Sequence, residues 1–258
     1  MFRGFNFFIL SLILSTGCSS YNKVTEQPFG HSDSEVNKVL QRAFTTAGGM
    51  EQYNNLRSIS YKKRSILYHA NGSTDSDVTQ FHEYNMAPAL SATVFWMKDG
   101  QRHSIKYENG AAKKYLDGKS VPGSEESATK SFLSAHYVLF MPFKLADDHV
   151  KLSYEGQDQL RSGQKVDVIK AVYQPASHDN HSADDTWWYY FDVESGAYAG
   201  SMVYHAPTYA YIENTAKNEK LPLIMNTYRK SFRVDENRKI EYLRGEFFYE
   251  DYEMSFKD

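Results

Sequence analysis

Residues 132–143 read Phe132-Leu-Ser-Ala-His136-Tyr-Val-Leu-Phe140-Met-Pro142-Phe143 and break the rhythm of everything around them. Most of the chain alternates in the two-residue period of strands. Here Phe132, His136, Leu139 and Phe143 recur at helical spacing, and Leu133, Tyr137, Val138 and Phe140 cover the adjoining face. A helix that is apolar almost all round has to be buried rather than laid on a surface. Ser124 is its candidate N-cap, and Glu125 and Glu126 sit well against the positive end of the helix dipole. Pro142 disfavours helical geometry at Met141, so the helix should stop there. Burying about eight such side chains, at roughly 1.5–3 kcal/mol each, offers an upper bound on the order of 12–24 kcal/mol before entropy. The expectation is a curved sheet wrapped around this helix, which either fills an ordinary core or lines an apolar cavity.

Working outward, strand signals surround the helix on both sides. Residues 59–68 and 78–84 flank the turn-forming Asn71-Gly72-Ser73, and residues 93–97 and 102–107 flank Asp99-Gly100; each pair predicts a hairpin. A short strand at residues 112–116 precedes the helix. After it come 150–155, with clean in–out alternation, and 164–173, then a polar loop over 174–185. Residues 186–192 carry Trp187, Trp188, Tyr189, Tyr190 and Phe191, placing large rings on both faces of one strand. Residues 198–205, 209–212, 223–234 and 240–256 supply the remaining strands. In 223–234, Tyr228, Phe232 and Val234 share one face, and Thr227, Arg229, Ser231 and Arg233 share the other. Upstream, Ser34 is read as the cap of an amphipathic helix bearing Val36, Val39, Leu40, Ala43, Phe44 and Ala47, stopped by Gly48-Gly49. Ten to twelve strands with no repeat and no internal linker predict a mainly β (α+β) fold. Its form is a single antiparallel open half-barrel over residues 34–258, wrapped around the inserted helix.

The chain has 258 residues, enough for one large β domain. Its 20 Tyr and 16 Phe favour strands and large apolar surfaces. A net charge of −3 gives no electrostatic footprint for nucleic acid. The single cysteine is Cys18, preceded by Arg3, the apolar run 5–14 and Ser15-Thr16-Gly17. This is the pattern of a secretory signal over residues 1–17, too short to span a membrane comfortably. Residues 18–33 are polar, with Pro28 and Gly30, and read as a flexible tether. A lone cysteine forms no disulfide within the chain, so packing must supply the stability.

Candidate chemistry is sparse. His178 and His181, with Asp184 and Asp185 behind them, would offer two imidazoles and a carboxylate to a metal such as zinc, but the segment reads equally as a solvated loop. His136, on the buried helix, needs a hydrogen-bond partner, for which a tyrosine is expected. No Gly-x-Ser-x-Gly elbow, His-Glu-x-x-His, phosphate loop or dinucleotide fingerprint is present, and no cofactor is called for. Trp96, Trp187 and Trp188, with Leu133, Tyr137 and Phe140 on the helix, are the candidate ligand-contacting residues.

Small residues leading into Cys18 resemble a bacterial lipobox, with Leu14 four positions before the cysteine and Ser15 three before. Together with the helix ending in Gly-Gly, the meander, Phe140-Met-Pro-Phe-Lys-Leu145 and Trp188-Tyr-Tyr-Phe-Asp192, the chain resembles the LolA/LolB-like lipoprotein-carrier superfamily. That resemblance implies an unclosed barrel with helices as a lid over a cavity that receives acyl chains. The lipobox resemblance implies lipidation at Cys18, and by resemblance to enterobacterial sorting rules Ser19 in place of Asp favours the outer membrane, facing the periplasm. Beyond Cys18 no functional residue of the family maps onto this sequence. The leading expectation is a non-catalytic, membrane-anchored lipoprotein that binds a lipid or acyl chain. A packed barrel docking a protein partner is the alternative, and a metal-dependent hydrolase using the His178 loop is the weaker one.

Overall fold

A computed structural model describes residues 33–147, 150–173 and 185–257. Cys18, the segments read as signal and tether up to residue 32, and His178 and His181 lie outside them. The described residues form one compact unit. It opens with α1 (Ser34–Thr46) and α2 (Met50–Asn55) and continues through β1 (Leu56–Tyr68), β2 (Thr74–Asn85), β3 (Ser91–Lys98), β4 (Gln101–Glu108), β5 (Ala111–Leu116) and β6 (Lys119–Ser120). Helix α3 (Glu125–Leu139) and a 3-10 turn (Phe143–Ala146) follow. The second half is β7 (Val150–Gln159), β8 (Lys165–Tyr173), β9 (Thr186–Asp192), β10 (Tyr198–His205), β11 (Thr208–Asn218), β12 (Met225–Val234) and β13 (Ile240–Phe256).

All thirteen strands belong to one antiparallel sheet in the order β6-β5-β4-β3-β2-β1-β13-β12-β11-β10-β9-β8-β7. The sheet is thus two meanders, joined at its centre where β1 pairs with β13. Its edges, β6 and β7, do not pair with each other, and α3 is the connection that runs between them. The strand count exceeds the expected ten to twelve because Lys119–Ser120 adds a two-residue edge strand. In addition, the segment expected at 209–212 extends to Asn218 by pairing with β12. Asp99 and Gly100 both take positive φ, as the tight β3–β4 turn requires.

Helix α1 is capped by Asp33, one residue before the expected Ser34. The Asp33 carboxylate accepts from the backbone N–H groups of Glu35 and Val36, and its second oxygen accepts from Tyr154 N–H in β7 at 3.2 Å. One aspartate therefore starts the helix and docks it on the sheet. Its exit is fixed at Gly48, whose φ is +111° and where a Cβ would lie 2.3 Å from the Pro222 carbonyl. Both the conformation and the space demand glycine there.

Helix α3 lies on one face of the sheet, here the inner face, and ties the two halves together. Phe132 stacks on Tyr107 of β4 (4.2 Å between centroids) and Tyr84 of β2 (5.5 Å). On its other side the Tyr137 hydroxyl meets that of Tyr173 in β8 at 2.5 Å, which in turn meets that of Tyr189 in β9 at 2.7 Å. Phe143, just past the helix, stacks on Tyr53 (4.6 Å) and Phe44 (5.8 Å) of the N-terminal helices. Ser124 does stand at the N-cap, but its hydroxyl donates to the Val121 carbonyl and accepts from Lys114 N–H instead of capping α3.

The outer face carries a second, smaller core. Val166, Val168, Tyr190, Met202, Tyr211 and Val234 cluster there with Leu160 from the β7–β8 turn. Arg238, in the β12–β13 turn, reaches Asp158 of β7 at 2.6 Å and lies over the Tyr190 ring, holding the hairpin ends across this cluster. Strand β9 is buried on both faces for this reason, and that is why its sequence is aromatic on both.

Candidate functional site: a cavity between the helix and the sheet

The inner face is not filled. A cavity of about 480 Å³ lies between α3 and strands of the second half. The helix presents Ser134, Ala135, Tyr137 and Val138 to it, and Met141 joins them just past its end. Opposite stand Trp187 and Tyr189 of β9, Tyr198 and Ser201 of β10, and Ile212 of β11. Arg229 and Ser231 of β12, Phe247 and Tyr249 of β13, and Lys63 of β1 complete that wall. The volume falls in the range of about 300–1,000 Å³ typical of small-molecule sites, with apolar and aromatic walls and a few polar groups. Helix α3 is consequently buried on only part of its surface: Phe132, His136 and Leu139 are buried, and Ser134, Ala135 and Val138 are half-buried along the cavity.

Of the residues expected to meet a ligand, Tyr137 and Trp187 line this cavity. The others lie elsewhere, for identifiable reasons. Trp188 follows Trp187 in an alternating strand, so it points to the outer core, where Lys170 lies over its ring. Phe140 is buried between Tyr53 (5.5 Å) and His136 (4.9 Å) beyond the last turn of α3. Trp96 stacks on His103 across β3 and β4, in the first half of the sheet. Leu133 is half-buried and outside the cavity lining.

The polar groups of the cavity were not anticipated. Arg229, only 6 % exposed, donates from Nε to Asn214 Oδ1 at 2.9 Å. Lys63 stands opposite Tyr249 across β1 and β13, with its ammonium over the rings of Phe247 (5.3 Å) and Tyr249 (5.7 Å). Burial by itself would push the Tyr249 hydroxyl up, but Lys63 and Arg229, the latter also a hydrogen-bond partner, bring it below the ordinary tyrosine value. The hydroxyls of Tyr137 and Tyr189 are held well above theirs, chiefly by burial, and so stay neutral.

Two imidazoles are buried in the first half. His82 Nδ1 meets the hydroxyls of Tyr61 (3.1 Å) and Tyr84 (3.3 Å). The tyrosine partner expected for His136 thus belongs to His82 instead. His136 packs by its ring against Phe132, Phe140 and Tyr84, and its Nε2 has no hydrogen-bond partner among the described residues. Burial, reinforced by Lys144, lowers its pKa to about 3.

A second concavity of about 700 Å³ runs beside α1 and is polar, lined among others by Glu35, Lys38, Arg42, Asp167 and Glu194. Asp167 is almost fully buried and is held by Arg42, by the Tyr154 hydroxyl (2.9 Å) and by Gln157 (3.3 Å). Arg42 thereby docks α1 on β8, and the Tyr154 and Gln157 bonds tie β7 to β8, a structural use of the groove. Among the described residues no group of three or more His, Cys, Asp or Glu is placed to hold a metal. No described helix is long and apolar enough to cross a membrane.

No protein-family model matches the chain. No curated protein matches it either. Solved structures do. A LolA superfamily protein from Nitrosomonas europaea superposes with a TM-score of 0.55 over 86% of this chain and 94% of its own, at 8% identity. The fold is LolA-like. A DUF1329 family protein from Desulfovibrio piger gives 0.53 over 82% and 91%, at 8% identity. A domain ascribed to an outer membrane lipoprotein-sorting protein of Vibrio parahaemolyticus gives 0.51 over 85% and 90%, at 10% identity. At these identities the likeness is one of fold. The LolA-like half-barrel of this chain therefore takes its functional reading from its own cavity.

Proposed function

We propose that this protein is a non-catalytic, envelope-tethered lipoprotein that holds an acyl chain or lipid in the cavity between α3 and the sheet. The carrying observation is the unfilled space of about 480 Å³ walled by Ala135, Val138, Met141, Trp187 and Phe247. A void of this size forfeits packing contacts that a filled core would make, and an apolar guest restores them. The LolA-like fold supports the reading, since a lipoprotein-sorting domain shares it. In this account Cys18 carries the lipid anchor after removal of residues 1–17, and residues 18–33 tether the half-barrel to the outer membrane, facing the periplasm. The cavity favours lipid binding over a packed barrel that only docks a protein partner.

The test is to purify the protein without its anchor from a bacterial host, extract it with organic solvent and analyse the extract by mass spectrometry. A stoichiometric fatty acid or phospholipid is expected. A protein that is empty and also fails to bind a fluorescent fatty acid would refute the proposal.

A further inference from the structure

Among the described residues the cavity wall carries two cations, Lys63 and Arg229, neither of which is paired with a carboxylate. Lys63, Tyr249, Phe247, Arg229 and Asn214 follow one another across β1, β13, β12 and β11 on the inner face, as the strand registers require. Among the described residues the partners of the Arg229 guanidinium are the Asn214 amide oxygen and the Tyr249 hydroxyl, neither of them a carboxylate. The described arginines that do pair with carboxylates are Arg42, Arg64, Arg238 and Arg244. Lys63 likewise has aromatic faces but no carboxylate among the described residues. Asp185 is the one carboxylate in the cavity lining, and it is engaged by His205 Nδ1 at 2.5 Å.

An arginine cannot shed its proton to escape burial. Taking its charge out of water is costly unless an opposite charge meets it there. A guanidinium held in this way, beside an ammonium and at the wall of an apolar space, is a receptor for an oxyanion, which it grips with charge-assisted hydrogen bonds. The apolar part of the same space would then receive whatever is attached to that anion.

We propose that the ligand is a single-tailed anionic amphiphile, its carboxylate or phosphate head on Arg229 and Lys63 and its chain along Ala135, Val138, Met141 and Trp187. The inference rests on the lipid-binding reading above and adds the charge of the head group to it. The volume of the cavity fits one small ligand.

The test uses delipidated protein and four probes of one chain length: palmitate, hexadecyl phosphate, hexadecanol and methyl palmitate. Each is titrated by displacement of a fluorescent fatty acid. One of the two anions is expected to bind about tenfold or more tighter than either neutral probe, the worth of one charged hydrogen bond. Whichever anion is tighter distinguishes a fatty acid from a single-tailed phosphate lipid as the source. Lys63→Met and Arg229→Gln should each shrink that preference, read as the ratio of anion to hexadecanol affinity in the same variant. Equal binding of anionic and neutral probes by the wild-type protein overturns the anion inference but leaves the apolar cavity standing. Failure of all four probes overturns both. Should Arg229→Gln not fold, the wild-type comparison and the half-buried Lys63 still decide the matter.

Discussion

His136 sits among Phe132, Phe140 and Tyr84 with its Nε2 unbonded, so the folded protein holds it neutral down to about pH 3. In the unfolded chain the same imidazole takes up a proton near pH 6.5. Between those values the unfolded state binds the extra proton, so stability falls as the pH falls, by up to about 1.4 kcal/mol per pH unit. His82, whose pKa burial also depresses, contributes in the same direction. His136→Phe keeps the ring packing and removes the titration. On going from about pH 7 to about pH 4.5, urea denaturation should show the variant losing roughly 2–3 kcal/mol less than the wild type. An equal loss in both would mean that His136 does not remain neutral in the fold. The sequence revealed that a buried histidine on this helix needed explaining, but not which histidine the tyrosines would serve. Tyr61 and Tyr84 reach His82 because β1 and β2 pair in a register that sets Tyr61 opposite His82, and no local pattern prints a register.

Helix α3 bridges the two edges of the open sheet, and its attachments differ on the two sides. Toward the first half it packs by apolar stacking through Phe132; toward the second it is held by the Tyr137–Tyr173–Tyr189 hydroxyl chain. Tyr137→Phe removes one link of that chain and leaves the ring in place. Such a variant should lose about 1 kcal/mol in urea denaturation, as typical for one hydrogen bond, and should exchange the amides of α3 faster. Unchanged stability with unchanged exchange would remove the hydroxyl chain as an anchor of the helix. The helix itself was plain in the sequence, since its 3.6-residue period and Pro142 mark it locally. The strands of β9 and β12 were legible as strands, but their facing was not. In β12 the polar set Arg229 and Ser231 turns inward to the cavity, and Phe232 and Val234 pack outward against the second core. A strand with one polar face ordinarily shows that face to water. Here the Leu160 turn and Ile240 cover the apolar side instead, a long-range event that one strand's alternation does not record.

At the scale of the whole molecule, two meanders meet at β1 and β13, and a helix strung between the free edges roofs the space they enclose. The first half fills its part of that space with Phe132, Tyr84, Tyr107 and His136. The second half leaves its part open beneath Ala135 and Val138. The small side chain at position 135 is what keeps the roof clear of the wall, so the account is tested most directly by filling the space from there. We would titrate palmitate against the wild-type protein and Ala135→Trp, with thermal denaturation of both. The account predicts that the variant melts within about 5 °C of the wild type, the indole occupying a void rather than a packed core, and binds palmitate at least about tenfold more weakly. A stably folded Ala135→Trp that binds palmitate as well as the wild type would contradict it, because the lipid would then lie somewhere other than this cavity.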